Sequence, residues 1–487
     1  MVNLLYLKAI RHLFVFMGKD GFSPSLSGES NTPFLLTDLA CQPFASIAFQ
    51  TKKGVLLQFY STENRDVKVG LKQAILEGMP KQGGLYMPCR IDKMDNSFFE
   101  DITRLTFGEI SYLVAKKLLE GEVADRELEK LVKESINFDA PLVQLAENTF
   151  VLELFHGPTL AFKDFGARFM ARFMSYLLVG EKRELTIITA TSGDTGSAVA
   201  NGFYGIDKIR VVILFPKGKV SKLQEAQLTT FGNNIHTLEV DGDFDKCQQL
   251  AKAALTDKSL QKRLFLSSAN SINISRLFPQ VFYYFWAYAQ LARVSDKPFV
   301  ISVPSGNFGN LTACCIAKKM GLPAEKIVAA TNINDVVPNY LKTGEYRPKP
   351  TKHTISNAMD VGNPSNFVRL LELYEKNHNV MKKDIVGFRF TDKQTKENMV
   401  NVFRKYGYIL DPHGSVAHLG ISQIEDSGLN KIFLETAHPA KFPEVVQSTI
   451  GVNPRVPLQL KKLFGKKQTS TKIKAEYSLF KKFLLGL

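Results

Sequence analysis

The sequence predicts an α/β protein built on mostly parallel, doubly wound sheets covered on both faces. Three observations carry that expectation. Short apolar runs alternate with helix-period segments, several of the junctions between them are rich in glycine and small hydroxyl residues, and no repeat or low-complexity tract breaks the order. The strand-like runs are 186–190, 209–215, 235–240, 264–267, 299–303, 326–330 and 431–435. Helical patterns fall at 222–231, 273–292, 311–320, 394–406 and 415–424. Runs that are apolar throughout suit strands buried on both sides. A chain of 487 residues, 45% of them hydrophobic, can fill the cores of several such units.

The first 55 residues read differently from the rest. Leu4, Leu5, Leu7, Ile10, Leu13, Phe14, Val15 and Phe16 cluster, but Lys8, Arg11 and His12 interrupt them. The stretch is too short and too charged to span a bilayer, and it offers no clean signal core with a small-residue cleavage site. Asp20, Glu29 and Asp38 add more acid than a transit peptide carries. The expectation is an extension ahead of the body, or a start assigned too far upstream.

The most informative segment is Leu154-Phe155-His156-Gly157-Pro158-Thr159-Leu160-Ala161-Phe162-Lys163-Asp164-Phe165. A lysine among aromatic and small residues loses solvation, which disfavours its ammonium form. A free amine can then attack an aldehyde and later move protons, as a Schiff-base lysine must. Alone, a lysine between two phenylalanines is more often a snorkelling surface residue.

Three junctions strengthen the reading. Thr186–Ala190 runs into Thr191-Ser192-Gly193-Asp194-Thr195-Gly196-Ser197-Ala198, a strand, a hydroxyl-rich loop and a helix start suited to a carboxylate. Phe299–Val303 runs into Pro304-Ser305-Gly306-Asn307-Phe308-Gly309-Asn310 and a helical stretch. Such glycines let main-chain N–H groups converge on a phosphate. No GxGxxG or GxxxxGK[ST] occurs, so neither a dinucleotide fingerprint nor a P-loop is present. Last, Ile432-Phe433-Leu434-Glu435-Thr436-Ala437-His438-Pro439-Ala440-Lys441-Phe442 reads as a strand ending at a hydroxyl.

Together these segments resemble the threonine synthase family. Further stretches agree: Tyr60-Ser61-Thr62, Gly83-Gly84-Leu85-Tyr86-Met87-Pro88, Pro216-Lys217-Gly218 through Gln227, and Asn270–Arg276. The resemblance runs from about Leu57 to the C-terminus. It implies pyridoxal 5'-phosphate held by Lys163, its phosphate gripped by Gly306, Asn307, Phe308, Gly309 and Asn310, and its pyridine nitrogen facing Thr436. A neutral hydroxyl there does not force protonation of the ring and moderates it as an electron sink.

The implied fold is type II of the pyridoxal enzymes with an added N-terminal region. The expected units are an extension over 1–56, an N-terminal domain over 57–140, a smaller α/β domain over 141–265, a larger one with the phosphate loop over 266–450, and a basic tail over 451–487. The implied reaction turns O-phospho-L-homoserine and water into L-threonine and phosphate. Ser192, Gly193, Asp194 and Thr195 are candidates for the substrate, with Asp194 orienting the loop, and Arg276 and Lys222 for its leaving phosphate. A related lyase releasing a 2-oxo acid, phosphate and ammonia is the alternative. A threonine dehydratase fits less well, because of the N-terminal region and the Glu435–Phe442 segment.

Charge and cysteine content bound the rest. The net charge of +15 could suit nucleic acid, but from Arg455 onward nine basic residues face one acidic residue, so over half of the excess lies in the tail. No basic stripe interleaved with aromatics and no nucleic-acid motif appears elsewhere. The tail is expected to be solvated and to pack through Leu479, Phe480, Phe483 and Leu484. Five cysteines without a CxxC pair suit a reducing, cytoplasmic setting. His156, His413, His418 and His438 lack ligand spacing, so no metal is expected; the first and last are expected to brace loops, the middle two to start and pack a helix. The partners expected are the small-molecule substrate and at most a second copy of the chain, with neither nucleic acid nor membrane.

Overall fold

The structure is a computed structural model describing residues 57–425, 428–463 and 465–487. The extension read over 1–56 lies outside the described residues. Strands β1 (Gln58–Ser61), β2 (Asn64–Gly70) and β3 (Tyr86–Pro88) form an antiparallel sheet in the order β2-β1-β3. Helices Phe107–Leu119 and Asp125–Ser135 follow. The first begins with a capping box, in which Thr106 and Glu109 satisfy each other's backbone N–H groups. This region docks on the long helix Phe278–Leu291: Phe98 packs edge-on to Phe285, Phe107 stacks on Trp286, and the Trp286 indole donates to Asp139 at 3.0 Å.

Strands β4 (Leu142–Ala146) and β5 (Thr149–Glu153) form a hairpin, and β6 (Leu185–Ala190), β7 (Ile209–Pro216), β8 (Ile235–Asp241) and β9 (Phe265–Ser268) come next. Strands β10 (Phe299–Pro304), β11 (Ala324–Thr331), β12 (Ile385–Arg389) and β13 (Asn430–Glu435) follow, and β14 (Thr471–Lys474) lies near the C-terminus. They build two sheets, of order β12-β11-β10-β13-β5-β4 and β14-β8-β7-β6-β9. All pairings in these two sheets are parallel except β4 with β5. The fold is therefore α/β with two mostly parallel sheets and an N-terminal region.

Burial on both faces follows from the period of two along each strand. In the smaller sheet Ile187, Val211, Ile213 and Phe215 enter the main core. Their neighbours Ile188, Val212, Leu214 and Leu238 face a second cluster that includes Phe480 and Leu484. In the larger sheet Ile301, Val303, Ile327 and Ile432 face the main core, while Val300, Val328 and Phe433 pack on the other side against Val402, Ala417 and Ile421.

Two expected boundaries shift. The β4–β5 hairpin joins the larger sheet through parallel pairing of β5 with β13, although it precedes the whole smaller sheet in the chain. The basic stretch after 450 does not hang free. Its strand β14 pairs with β8, and the helix Tyr477–Leu485 lays Phe480 and Leu484, both buried, on the smaller sheet. Tyr477 and Lys481 both bond Asp257, at 2.5 and 2.7 Å. Of the four apolar residues expected to pack the tail, Phe480 and Leu484 are buried and Phe483 is partly so, whereas Leu479 is 40% exposed. Because Phe480 is fully buried, Phe480→Ala is expected to destabilise the protein by about 3–5 kcal/mol, read as a lower midpoint in denaturant. An unchanged midpoint would show that the tail helix does not belong to the packed core.

Candidate active site

The two parallel sheets bring their strand C-terminal ends to one cavity of about 650 Å³. Its lining includes Thr191 and Ser192 after β6, Asn270 and Ser271 after β9, Ser305 to Asn310 after β10, and Thr436 after β13. That is where open α/β sheets offer their loop ends to a ligand.

Lys163 reaches this cavity as the first residue of the helix Lys163–Leu177. Its place is set by a short antiparallel contact with the chain leaving β13. Ala161 bridges Ala437, Phe162 N–H donates to Thr436 O at 2.9 Å, and His438 N–H donates to Leu160 O at 3.1 Å. Leu160 takes the left-handed conformation at φ 60°, which turns the chain into that contact. The neighbouring Asp164 is fully buried and accepts from Thr159 N–H at 2.8 Å and from its hydroxyl at 2.7 Å, so it braces the turn and leaves the amine alone. Burial pushes the Asp164 carboxyl up to about 6.

The Lys163 side chain is 16% exposed, and its Nζ lies 4.6 Å from the centre of the Phe162 ring. Burial lowers its pKa, against the pull of Asp194. Asp194 Oδ2 stands 3.9 Å away, while Oδ1 is taken by Lys441 Nζ at 2.7 Å and Gln224 Nε2 at 3.0 Å. Burial pushes the Asp194 carboxyl up, but Lys441 and Lys163 outweigh it and hold the group ionised.

The loop after β10 has the features of an anion cradle. Phe308 adopts φ 59° as the residue before the helix Gly309–Lys319, whose first intrahelical acceptor is Phe308 O, used by Thr312 N–H. The amides of Gly309, Asn310 and Leu311 therefore point out of the helix start. A Cβ on Gly306 would sit 2.8 Å from Ala358 O, so only glycine lets the loop pass there. Asn307 braces the loop by accepting from Ser365 N–H at 3.2 Å. Asn310 Oδ1 accepts from the hydroxyls of Tyr283 and Tyr284, which fixes its amide. The Asn310 Nδ2 is buried with no protein acceptor, an orphaned donor at the cavity wall. The fully buried Arg369 donates to Ser271 O, Ile272 O and Asn366 Oδ1 and so holds the surrounding turns. Orphan amides, a close-approach glycine and an unpaired buried amide fit a phosphate.

The structure brings most of the expected residues to this cavity. Ser192, Asp194, Thr195 and Arg276 line it, and Arg276 is 3% exposed, with Nη1 donating to Ala269 O at 2.8 Å. Gly193 lies outside the lining; its φ is 139° and its N–H is spent on Thr191 Oγ1 at 2.9 Å. Lys222 is a correction. It is exposed in the first turn of the helix Lys222–Thr229 and lies outside the lining, because the Ser221 and Gln224 capping box fixes the helix start with Gln224, not Lys222, turned inward. Lys81 and Lys252 line the cavity instead.

Three contributors were not legible as such. Gln224 and Lys441 act on Asp194, and no local spacing connects the three. His413 accepts from Ala358 N–H at 3.2 Å through Nε2, so Nδ1 carries the proton it donates to Asp411 at 2.5 Å. It starts its helix as expected, and it also pins the turn Asn357–Met359 over the cavity. Behind Thr436, Glu435 is buried against Asp411, and both effects push its carboxyl well up. His156 pairs with Glu153 at 2.8 Å and His438 accepts from Ala440 N–H at 3.0 Å, both bracing loops beside the lysine segment.

Comparison with known proteins agrees with this geometry. Residues 137–431 match the family described as "Pyridoxal-phosphate dependent enzyme", residues 58–136 "Threonine synthase N terminus" and residues 415–484 "Threonine synthase, C-terminal". The threonine synthase of Serratia marcescens is 42% identical over 431 residues, covering 88% of this chain and 100% of its own. Among solved structures, threonine synthase from Escherichia coli superposes with a TM-score of 0.83 at 40% identity, over 88% of this chain and 99% of that one. A structure described as PLP-bound threonine synthase from Brucella melitensis gives 0.82 at 34% identity, over 88% and 98%. A cavity that joins a desolvated lysine, a strand-end hydroxyl and a glycine-rich loop with free amides, in a chain matched to these relatives from end to end of its body, places the protein in the threonine synthase family of pyridoxal-phosphate enzymes.

Proposed function

We infer that the protein converts O-phospho-L-homoserine and water to L-threonine and phosphate. The observation that supports this most is that Lys163, Thr436 and the Gly306–Asn310 loop, from three separate parts of the chain, line one cavity. The lysine amine would hold the pyridoxal 5'-phosphate, the amides of the loop with Asn310 Nδ2 would take its phosphate, and the Thr436 hydroxyl would meet its pyridine nitrogen. When bound, that group supplies a sink for the electrons left when a proton departs from the substrate's α carbon.

The chain's own residues do the rest. Lys163 Nζ would remove the α proton and then a β proton; the γ carbon–oxygen bond breaks with its electron pair leaving on phosphate, and a proton is returned to the γ carbon to make the methyl group. The hydroxyl of water adds at the β carbon as a proton returns to the α carbon, and the last proton leaves with the phosphate. Ser192 and Thr195, at the start of the helix Asp194–Phe203, donate to a substrate anion. Arg276 supplies a buried positive charge for the second. Gly193 and Asp194 shape the loop. Lys81 and Lys252 at the cavity wall add positive potential that speeds the arrival of an anionic substrate. The protein works in the cytoplasm as a monomer or homodimer and needs no nucleic acid. In support, the basic excess sits largely in the C-terminal segment that packs on the smaller sheet, and no helix among the described residues is long and apolar enough to cross a membrane.

Purified protein given O-phospho-L-homoserine is expected to release threonine and phosphate in equal amounts. Phosphate accompanied by a 2-oxo acid and ammonia instead of threonine would mark the lyase. Lys163→Ala is expected to lose the visible absorption of the bound cofactor together with turnover, and a borohydride-reducible band at full strength in that variant would overturn the assignment. Thr436→Ser keeps the oxygen and is expected to bind cofactor nearly as the parent does. Thr436→Ala leaves a buried nitrogen unpaired and should weaken cofactor binding by about 1–3 kcal/mol, measured by titrating cofactor into each apo-variant. Equal affinity in Thr436→Ala and the parent would show that the residue does not face the ring.

A further inference from the structure

Lys441 is fully buried, with its ammonium 2.7 Å from Asp194 Oδ1 and donating to Thr159 O at 2.9 Å. Thr159 belongs to the turn that Asp164 braces, so this one cation ties the loop after β6 to the segment that presents Lys163. A buried ion pair adds little net stability over an apolar pair of similar volume. What distinguishes this pair is its neighbour, the Lys163 amine, 3.9 Å from the other Asp194 oxygen.

We propose that Lys441 is a positioning residue for Lys163: by holding the Asp194 carboxylate in its own ion pair, it keeps that carboxylate from drawing Lys163 into an ammonium–carboxylate pair and leaves the amine free to react. The inference rests on the reading of Lys163 as the cofactor lysine. The charged groups that act on Lys163 come from several elements: Asp194 at the head of the helix Asp194–Phe203, Lys441 in the turn Pro439–Lys441, Arg276 in the turn Ile274–Arg276, and Asp411 ahead of the helix Pro412–Ser422. Asp164, on the helix of Lys163 itself, is taken up by Thr159. Two cations thus stand against two carboxylates, and removing Lys441 tips the balance toward the carboxylates. A neutral amine is the form that condenses with an aldehyde, its nitrogen bonding the carbonyl carbon while the carbonyl oxygen leaves as water. The fraction of neutral Lys163 therefore sets the rate at which the cofactor is captured.

The test follows that rate against pH in the full-length apo-chain, using pyridoxal 5'-phosphate as the probe and the visible band as the readout. In Lys441→Met the midpoint of the rise with pH should move upward, with capture at neutral pH slowed about tenfold, in line with the roughly 1–3 unit effect of one close charge. The double variant Lys441→Met/Asp194→Asn removes both partners and should return the midpoint toward the parent. An unmoved midpoint in Lys441→Met would overturn the proposal. Should that variant fail to fold, the double variant is compared with Asp194→Asn, where Lys441 stands unopposed. The double variant must then titrate at higher pH, and equal midpoints overturn the proposal. Lys163→Ala is run beside them. If it still captures cofactor covalently, the reading of Lys163 has failed, whereas loss of capture there with an unmoved midpoint in Lys441→Met condemns the Lys441 inference alone.

Discussion

The site depends on one short backbone contact, the pairing of residues 160–162 with 436–438. It joins the chain leaving the last strand of the larger sheet to the segment that starts the lysine helix, between residues more than 270 positions apart. Main-chain hydrogen bonds are indifferent to side-chain identity, so they fix the separation of Lys163 and Thr436 without using either functional group. The left-handed Leu160 is the local strain that this arrangement carries. Both functional side chains are left free for a ligand.

Around that contact the protein buries several ionisable groups, most of them hydrogen-bonded to a neighbour. Asp164 is spent on Thr159, Asp194 on Lys441 and Gln224, and Asp411 on His413. Glu435, lacking a cation, is pushed toward its neutral form by burial and by Asp411. Lys163 is the exception, held 3.9 Å from its nearest carboxylate. The electrostatic design is thus one of occupied neighbours around a single amine without a close partner, in a setting of low dielectric where a stray charge would dominate.

The sequence made the buried half of this molecule legible. Strands such as β7 and β10 are apolar on both faces, and their bounds were readable to within a residue. Strand β14 was not, because three of its four residues, Thr471, Lys472 and Lys474, are exposed and only Ile473 turns partly inward. The partly exposed β4 and β12 escaped for the same reason. In the site, the lysine, the glycine-rich loop and the strand-end threonine each lie in a compact local pattern. Lys441 and Gln224 act through Asp194, and that dependence exists only after the sheets have assembled. Lys222 misled because a lysine at a helix start resembles an anion ligand until the capping box shows which residue faces inward.

Strand β14 also has a temporal consequence. The other strands of the smaller sheet are complete by Ser268, yet the β8 edge is covered by residues 471–474, about 200 positions later in the chain. On the ribosome, therefore, β8 waits with a row of unpaired backbone groups, the kind of edge that recruits other strands. A chain lacking residues 471–474 would carry every residue of the cavity and still present that open edge. The segment 471–474 thus closes an edge and contributes no residue to the cavity.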